Sequence, residues 1–160
     1  MRKNEAEALD VCCGGRMFYY EKDNPCIIFQ DIRDGKIEFS EGRSLEVSPD
    51  RVEDFTNLSW PDGRFSLVVF DPPHLQRCGD HSFLGMKYGK LKKNWKEELG
   101  KGFEECFRVL KENGVMIFKW SDIQIPCSKV IELSTYRPLL GDQRGKRRWI
   151  VFLKNERMKR

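Results

Sequence analysis

Residues 65–76, with the sequence FSLVVFDPPHLQ, have the composition best suited to hold a ligand. Their apolar run ends at Asp71, and Pro72, Pro73 and His74 follow. Each proline removes a backbone donor and imposes extended geometry on the residue before it. We therefore expect a carboxylate to be held rigidly at the end of a buried strand, close to a flat ring, where the two could grip a planar group.

Two earlier apolar runs also end in acids. Asp10 closes the first run and precedes Gly14 and Gly15, and Asp31 closes the second run about twenty positions later. A turn of small residues lets backbone amides approach a ligand closely, and an acid at the second strand end of a doubly wound fold can bind ribose hydroxyls. Either signal alone is weak, because Gly-Gly turns are common and Asp31 could equally cap a turn.

The elements that must position these residues follow from hydrophobic periodicity. We predict strands at residues 8–12, 26–30, 51–55, 67–70, 115–120, 136–140 and 149–153. We predict a short helical turn at 17–21, helices at 95–112 and 126–133, and a hairpin or irregular insertion at 34–47. This alternation indicates an α/β fold with a mostly parallel sheet of seven strands, one antiparallel edge strand, and helices on both faces.

Composition favours one globular domain over residues 1–160. No apolar run approaches the roughly 20 residues of a membrane span, and the start lacks the apolar core of a signal peptide, so we expect a cytoplasmic protein. The six cysteines show no Cys-x-x-Cys spacing and are expected to be free thiols. Basic residues cluster at 87–96 and 144–148, which indicates either a polyanion partner or a solvated loop.

In combination, these motifs resemble the class I S-adenosylmethionine-dependent methyltransferases. The segment EDFTNLSWPDGRFSLVVFDPP is similar to the family's third and fourth strands, and FEECFRVLKENGVMIFKW is similar to its following helix and fifth strand. DPPH is similar to the Asp/Asn-Pro-Pro-aromatic motif of the branch that methylates amino groups such as adenine N6. The resemblance implies a Rossmann-like sheet of order 3-2-1-4-5-7-6 and S-adenosylmethionine as the cofactor.

The resemblance also assigns roles by position. The expected cofactor-binding residues, from the methionine end through the ribose to the adenine, are Asp10, Cys12, Cys13, Gly14, Gly15, Asp31, Asp54 and Phe55, with Asp71 beside them. A turn cap for Asp54 and core packing for Phe55 remain open.

Catalysis would depend on the DPPH residues. The Asp71 carboxylate and the Pro72 carbonyl would accept hydrogen bonds from the acceptor amine, Pro73 would keep the backbone rigid, and His74 would stack on the base. The expected substrate-binding residues are His74, the phosphate-holding lysines Lys90, Lys92 and Lys93, and Lys119 and Trp120 at the end of the fifth strand. An aromatic residue at a strand end is often only core, so that interpretation of Trp120 also stays open.

Three features depart from the family pattern. Arg16 stands where the family usually has a glycine, and His74 stands where it usually has Tyr, Phe or Trp. The chain also begins almost at its first strand, so a second copy in a homodimer or a partner subunit could cover the cofactor. The lack of a separate target-recognition domain tilts the expected acceptor from DNA to RNA. A zinc cluster of His74, Cys78 and His81 lacks a fourth ligand, so no metal is expected.

Two other functions remain open from the sequence. One is methylation of a protein or small-molecule amine. The other is a catalytically inactive binding subunit of the same fold.

Overall fold

The apolar runs of the sequence form one large sheet in a computed structural model that describes residues 5–39, 42–79 and 82–160. The strands are β1 (Ala8–Asp10), β2 (Ile27–Asp31), β3 (Gly35–Glu38), β4 (Ser44–Val47), β5 (Arg51–Val52), β6 (Phe65–Phe70), β7 (Leu110–Ser121), β8 (Pro138–Gly141) and β9 (Arg147–Leu153). The helices are α1 (Phe83–Tyr88), α2 (Trp95–Val109) and α3 (Cys127–Ile131), and a short 3-10 helix, Glu156–Met158, lies near the end of the chain.

Seven strands form the sheet in the order β5-β2-β1-β6-β7-β9-β8, which confirms the predicted order. Strands β5, β2, β1, β6 and β7 run parallel to one another, and β9 runs antiparallel between β7 and β8. The carboxyl ends of the parallel strands therefore meet at one edge, where a doubly wound sheet binds its ligands. Within the predicted insertion at 34–47, β3 and β4 pair antiparallel with each other and separately from the sheet.

Helix α2 builds the core on one face of the sheet. Its buried residues recur at helical spacing, and Phe103 contacts the rings of Phe70, Phe118 and Phe152 with centroids 5.0–5.9 Å apart. The predicted end of this helix at residue 112 is wrong, since α2 ends at Val109. The next residue already pairs with Phe65 of β6, and this pairing requires extended backbone.

The opposite face differs from the helical cover that we expected. No helix forms at residues 17–21, because Gly14 and Arg16 have positive φ angles of 49° and 54° and the chain turns repeatedly between β1 and β2. Aromatic residues cover this face instead: Tyr19 packs edge-on against Phe29, and Phe18 packs against Trp149. Among the described residues, α2 and α3 bury side chains in one shared core, while turns and rings cover the other face near the carboxyl edge.

Two glycines of α2 give a matched test of this packing. A Cβ at Gly102 would lie 2.7 Å from both the Phe55 and the Phe70 ring, whereas nothing lies within 4 Å of a Cβ at Gly100. We expect Gly102→Ala to lower the free energy of unfolding by about 1–3 kcal/mol through overpacking. Gly100→Ala should raise it by up to about 1 kcal/mol through helix propensity. Denaturant unfolding measures both, and equal effects of the two substitutions would contradict the packing.

Candidate active site

Three carboxylates meet at the carboxyl edge of the sheet. Asp10 and Asp31 end the neighbouring strands β1 and β2, and Asp71 directly follows β6, the other neighbour of β1. Asp71 borders three cavities. The glycine-loop cavity (about 130 Å³) extends to Gly14 and Gly15, the Phe55 cavity (about 250 Å³) extends to Asp54 and Phe55, and the Ser121 cavity (about 160 Å³) extends to His74, Ser121 and Arg147.

Asp10 is fully buried and holds the first loop in place. Its Oδ1 accepts a hydrogen bond from the Cys12 amide at 3.0 Å, and its Oδ2 accepts one from the Tyr19 hydroxyl at 2.7 Å. Burial raises the pKa of Asp10 to about 7; the two hydrogen bonds oppose that rise, while the charges of Asp71 and Asp31 add to it. Asp10 therefore holds the first loop in place through buried hydrogen bonds. The sequence analysis did not identify its partner Tyr19.

Asp31 is bound to an arginine that the sequence analysis did not single out. Its carboxylate accepts bonds from Nε and Nη2 of Arg33 at 2.9 and 3.2 Å, from the Arg33 amide at 3.0 Å, and from the Gly14 amide at 2.9 Å. Four bonds use the roughly four acceptor positions of a carboxylate. A ribose could reach Asp31 only if Arg33 moves. The available sequence signal for this pairing was the position of Arg33, two residues after Asp31.

Arg33 also connects the end of β2 to helix α1. Its Nη1 donates to the carbonyls of Met86 and Lys87 in α1, at 3.4 and 3.1 Å. Its side chain borders both the glycine-loop cavity and the Phe55 cavity. In this conformation the arginine therefore stands between the two cavities.

The glycine loop leaves room for a ligand, and Arg16 does not fill it. The Arg16 guanidinium lies over the Phe29 ring at 4.1 Å and bonds to Asp23 and to the carbonyls of Lys22 and Ser48. The residues Cys12, Cys13, Gly14 and Gly15 all border the glycine-loop cavity, and their binding of a cofactor stays a prediction.

Asp54 caps a turn and Phe55 packs in the core, which are the two alternatives that the sequence left open. Asp54 caps a turn, because its Oδ1 accepts from the amide and hydroxyl of Thr56 at 2.9 and 2.8 Å. The Phe55 ring packs on Phe70, with centroids 5.3 Å apart. Both residues also border the Phe55 cavity, opposite Asp31 and the exposed Ile32.

Asp71 forms an ion pair with Lys119. The Lys119 Nζ donates to Asp71 Oδ2 at 2.7 Å, and both side chains are at least three-quarters buried. Burial raises the pKa of Asp71, and the Lys119 ammonium opposes that rise. We expected Lys119 to contact the substrate, but here it contacts the acid that would do so.

His74 stands among other rings. Its centroid lies 5.4 Å from that of Tyr88 in α1 and 6.3 Å from that of Trp120. Burial, together with the charges of Lys119 and Arg147, lowers the pKa of His74, so the ring is neutral at pH 7. Trp120 is 1% exposed and donates to the Ile125 carbonyl, which makes it chiefly a core residue that also borders the Ser121 cavity.

Gln124 secures the segment after His74. Its Oε1 accepts from the amides of Gln76 and Arg77 at 2.7 and 2.6 Å, and its Nε2 donates to the Arg77 carbonyl at 2.7 Å. The sequence gave no signal for this contact, which joins residues 47 and 48 positions apart.

The predicted phosphate-holding lysines share one shallow groove. Lys90, Lys92 and Lys93 border it together with Gln76. Lys92 is exposed and pairs with Glu98 at 2.8 Å. The three lysines therefore lie near the DPPH segment without being buried in it.

A metal centre finds no support in the described parts of the chain. No group of three His, Cys, Asp or Glu side chains there could hold an ion, and all six cysteines are free. The predicted alternative of His74, Cys78 and His81 is not tested in full, since His81 lies outside the described residues. No described helix is long and apolar enough to cross a membrane.

Known proteins show what fold this site belongs to. No protein-family model matches the sequence, and no curated protein matches it either. A solved structure of a protein from Pyrococcus horikoshii is 16% identical over 92% of this chain and 81% of that chain, with a TM-score of 0.61. A SAM-dependent methyltransferase from Methanosarcina mazei is 11% identical over 92% of both chains (TM-score 0.54).

A ribosomal protein L11 methylase from Lactobacillus delbrueckii subsp. bulgaricus is 15% identical over 93% of this chain and 70% of that chain, with a TM-score of 0.53. The chain therefore has the Rossmann-like fold of SAM-dependent methyltransferases. This confirms the predicted fold class.

The burial of Asp10 predicts a pH dependence of stability. Its pKa is about 7 when folded and near 3.8 when unfolded, so the unfolded chain loses this proton first. Its contribution to the free energy of unfolding should fall by up to about 4 kcal/mol as the pH rises from 4 to 7, and stay constant above that. Asp10→Asn should lack this loss, because the uncharged amide can still accept from the Cys12 amide through its oxygen and can donate through its nitrogen to the Tyr19 hydroxyl oxygen.

Denaturant unfolding of both proteins from pH 4 to 8 measures the effect. The stability difference in favour of Asp10→Asn should grow across this window and level off near pH 7. A difference that is constant with pH would contradict the assignment.

Proposed function

We propose that this protein is an S-adenosylmethionine-dependent methyltransferase that methylates an exocyclic amino group, namely adenine N6 in nucleic acid. The observation that carries the proposal is the position of Asp71. It lies where the glycine-loop cavity, the Phe55 cavity and the Ser121 cavity meet. A cofactor held in the first two cavities and an acceptor held in the third would face each other at this carboxylate.

The described residues fit the cofactor. The glycine loop borders a polar compartment, and Phe55 and Ile32 give the other compartment apolar surface for an adenine ring. Asp54 Oδ2 has no hydrogen-bond partner in the described parts of the chain and is available to an amino group. Asp31 would take the ribose once Arg33 turns away. When bound, S-adenosylmethionine supplies an electrophilic methyl group on a sulfonium.

Asp71 and Pro72 would prepare the acceptor nitrogen. The lone pair of an adenine amino group is delocalised into the ring, and two acceptors on its hydrogens favour tetrahedral nitrogen with the lone pair directed at the methyl group. Asp71 Oδ1 and the Pro72 carbonyl have no hydrogen-bond partner within the described residues, and so both are available. Lys119 holds Oδ2 and favours the charged form of the carboxylate.

His74 and its neighbours would hold the base. A neutral imidazole beside Tyr88 offers ring surface for stacking, which is how nucleic-acid enzymes hold a base taken out of its stack. Lys90, Lys92 and Lys93 would attract the phosphates along the adjacent groove.

The first experiment is transfer of labelled methyl from S-adenosylmethionine into separate pools of cellular RNA and DNA, followed by digestion and nucleoside mass spectrometry. N6-methyladenosine in the RNA pool, or its deoxy form in the DNA pool, supports the proposal. Label only in added protein or small amines overturns the nucleic-acid acceptor. Absence of both transfer and cofactor binding overturns the enzyme assignment.

Substitution of Asp71 tests the mechanism. Asp71→Ala should lower the transfer rate at least about 100-fold, because one of the two acceptors is lost, while the cofactor Kd should change by less than about threefold. Asp62→Ala is the control, since this carboxylate is 81% exposed and pairs with Arg108 on the surface, away from the three cavities. Filter binding and calorimetry measure rate and Kd. Unchanged activity of Asp71→Ala would rule out this role.

Two substitutions at His74 separate stacking from hydrogen bonding. His74→Phe keeps a ring and should retain most activity, whereas His74→Ala should lose about 1–3 kcal/mol of acceptor binding, seen as a raised KM. Initial rates across acceptor concentrations distinguish them. A larger loss in His74→Phe than in His74→Ala would show that the ring does not stack.

A further inference from the structure

The face of the sheet opposite α2 carries two rows of apolar side chains. Residues that are paired across neighbouring strands point to the same face, so the strand register defines the rows. The rows run through β6, β7, β9 and β8. Their six residues, which we call the open face, are Leu67, Val115, Leu153, Ile117, Val151 and Leu140.

The open face is much less covered than the other side of the same strands. Met116, Phe118 and Phe152 alternate with its residues, belong to the core beside α2 and are 0% exposed. Five open-face residues are partly exposed, and Leu140 is 59% exposed. Of the described helices, α2 and α3 pack on the opposite face, and α1 lies beside His74 at the carboxyl edge. Parallel strands are normally covered on both faces, so the described part of the chain lacks one layer of this architecture.

The open face has dimensions that suit a second sheet. Four strands about 4.8 Å apart make it about 20 Å broad with its side chains. Trp149, which is 37% exposed and follows Val151 along this face of β9, extends it to about 20 Å in the strand direction. One helix is about 10 Å across and would cover half of the breadth, whereas the same face of a second copy matches both directions.

The area of the open face agrees with a dimer interface. Its extent of about 400 Å² is roughly half of the 800 Å² that each partner contributes to a standard interface, which leaves the remainder to a polar rim. Homodimer interfaces are also more apolar than the rest of a protein surface.

Charge favours a second copy over a polyanion at this surface. Among the described residues of the sheet, the only charged neighbours within or directly beside the two rows are Asp10 and Lys119. Asp10 is buried and bonded to Tyr19, and Lys119 pairs with Asp71. In a twofold dimer each surface meets itself, so a surface without unpaired charge avoids like-charge repulsion. A nucleic acid would need cations here instead.

We propose that the open face is the interface of a homodimer, in which two copies pack sheet against sheet around a twofold axis. This inference goes beyond the proposed function and does not depend on it. None of the six residues borders the glycine-loop cavity, the Phe55 cavity or the Ser121 cavity.

The test is the mass of the full chain in solution, measured by light scattering and sedimentation equilibrium. We expect the mass of two chains of 18.9 kDa each. Leu140→Lys should raise the Kd of the dimer at least about tenfold, because it brings an ammonium into a desolvated interface. The monomer should tolerate this change, since Leu140 is 59% exposed. Val52→Lys is the matched control: Val52 is 54% exposed on β5, at the far edge of the sheet, and its substitution should leave the Kd unchanged.

A second substitution tests the centre of the open face. Ile117→Lys should abolish the dimer, and circular dichroism shows whether this variant is folded. If it is unfolded, Leu140→Lys decides the question alone.

Three results would overturn the homodimer. One is a wild-type chain that stays a folded monomer at about 100 µM, a concentration at which a stable dimer must form. The second is a dimer that persists unchanged in Leu140→Lys. The third is an equal loss of dimer in Val52→Lys, which would indicate unspecific charge repulsion. Each result concerns mass alone, so a failure of methyl transfer would leave it unaffected.

Discussion

The site depends on keeping three carboxylates together in a largely dry environment. Asp10, Asp31 and Asp71 end adjacent strands, so the sheet itself brings their charges close. Each is balanced differently: Asp10 by burial that moves its pKa to about 7 and by Tyr19, Asp31 by Arg33, and Asp71 by Lys119. Burying a charge is costly unless it is compensated, so this edge of the sheet needs these partners in order to fold. A ligand that binds one of the carboxylates must therefore displace or share that carboxylate's partner.

This balance explains why the cavities are divided. Arg33 compensates Asp31 and at the same time stands between the glycine-loop cavity and the Phe55 cavity, bonded to carbonyls of α1. A cofactor hydroxyl that replaced the guanidinium at Asp31 would also release α1 from β2. Asp31 would thereby couple cofactor binding to the segment that carries Tyr88, a residue that borders all three cavities.

How far the sequence predicts the site differs from residue to residue. DPPH, Asp31 and the glycine loop could be placed because each follows a buried strand, and the carboxyl ends of parallel strands share an edge. Lys119 was recognised at that edge, but its pairing with Asp71 was not, since the choice between substrate and acid depends on side-chain direction. Arg33, Tyr19 and Gln124 were missed because their contacts follow from loop paths that periodicity does not encode.

The sequence by itself determined the core helix and the edge that carries the acids through its hydrophobic periodicity, and it determined the order of strands through the resemblance of its motifs to a known fold. Only the tertiary structure decided which charges are paired, that turns and rings replace helices beside β1, and that Ser121 Oγ is buried without a hydrogen-bond partner among the described residues. The physical reason is the sequence separation of the interactions. Periodicity reports what one segment buries, whereas ion pairs and unsatisfied groups depend on distances between segments far apart in the chain.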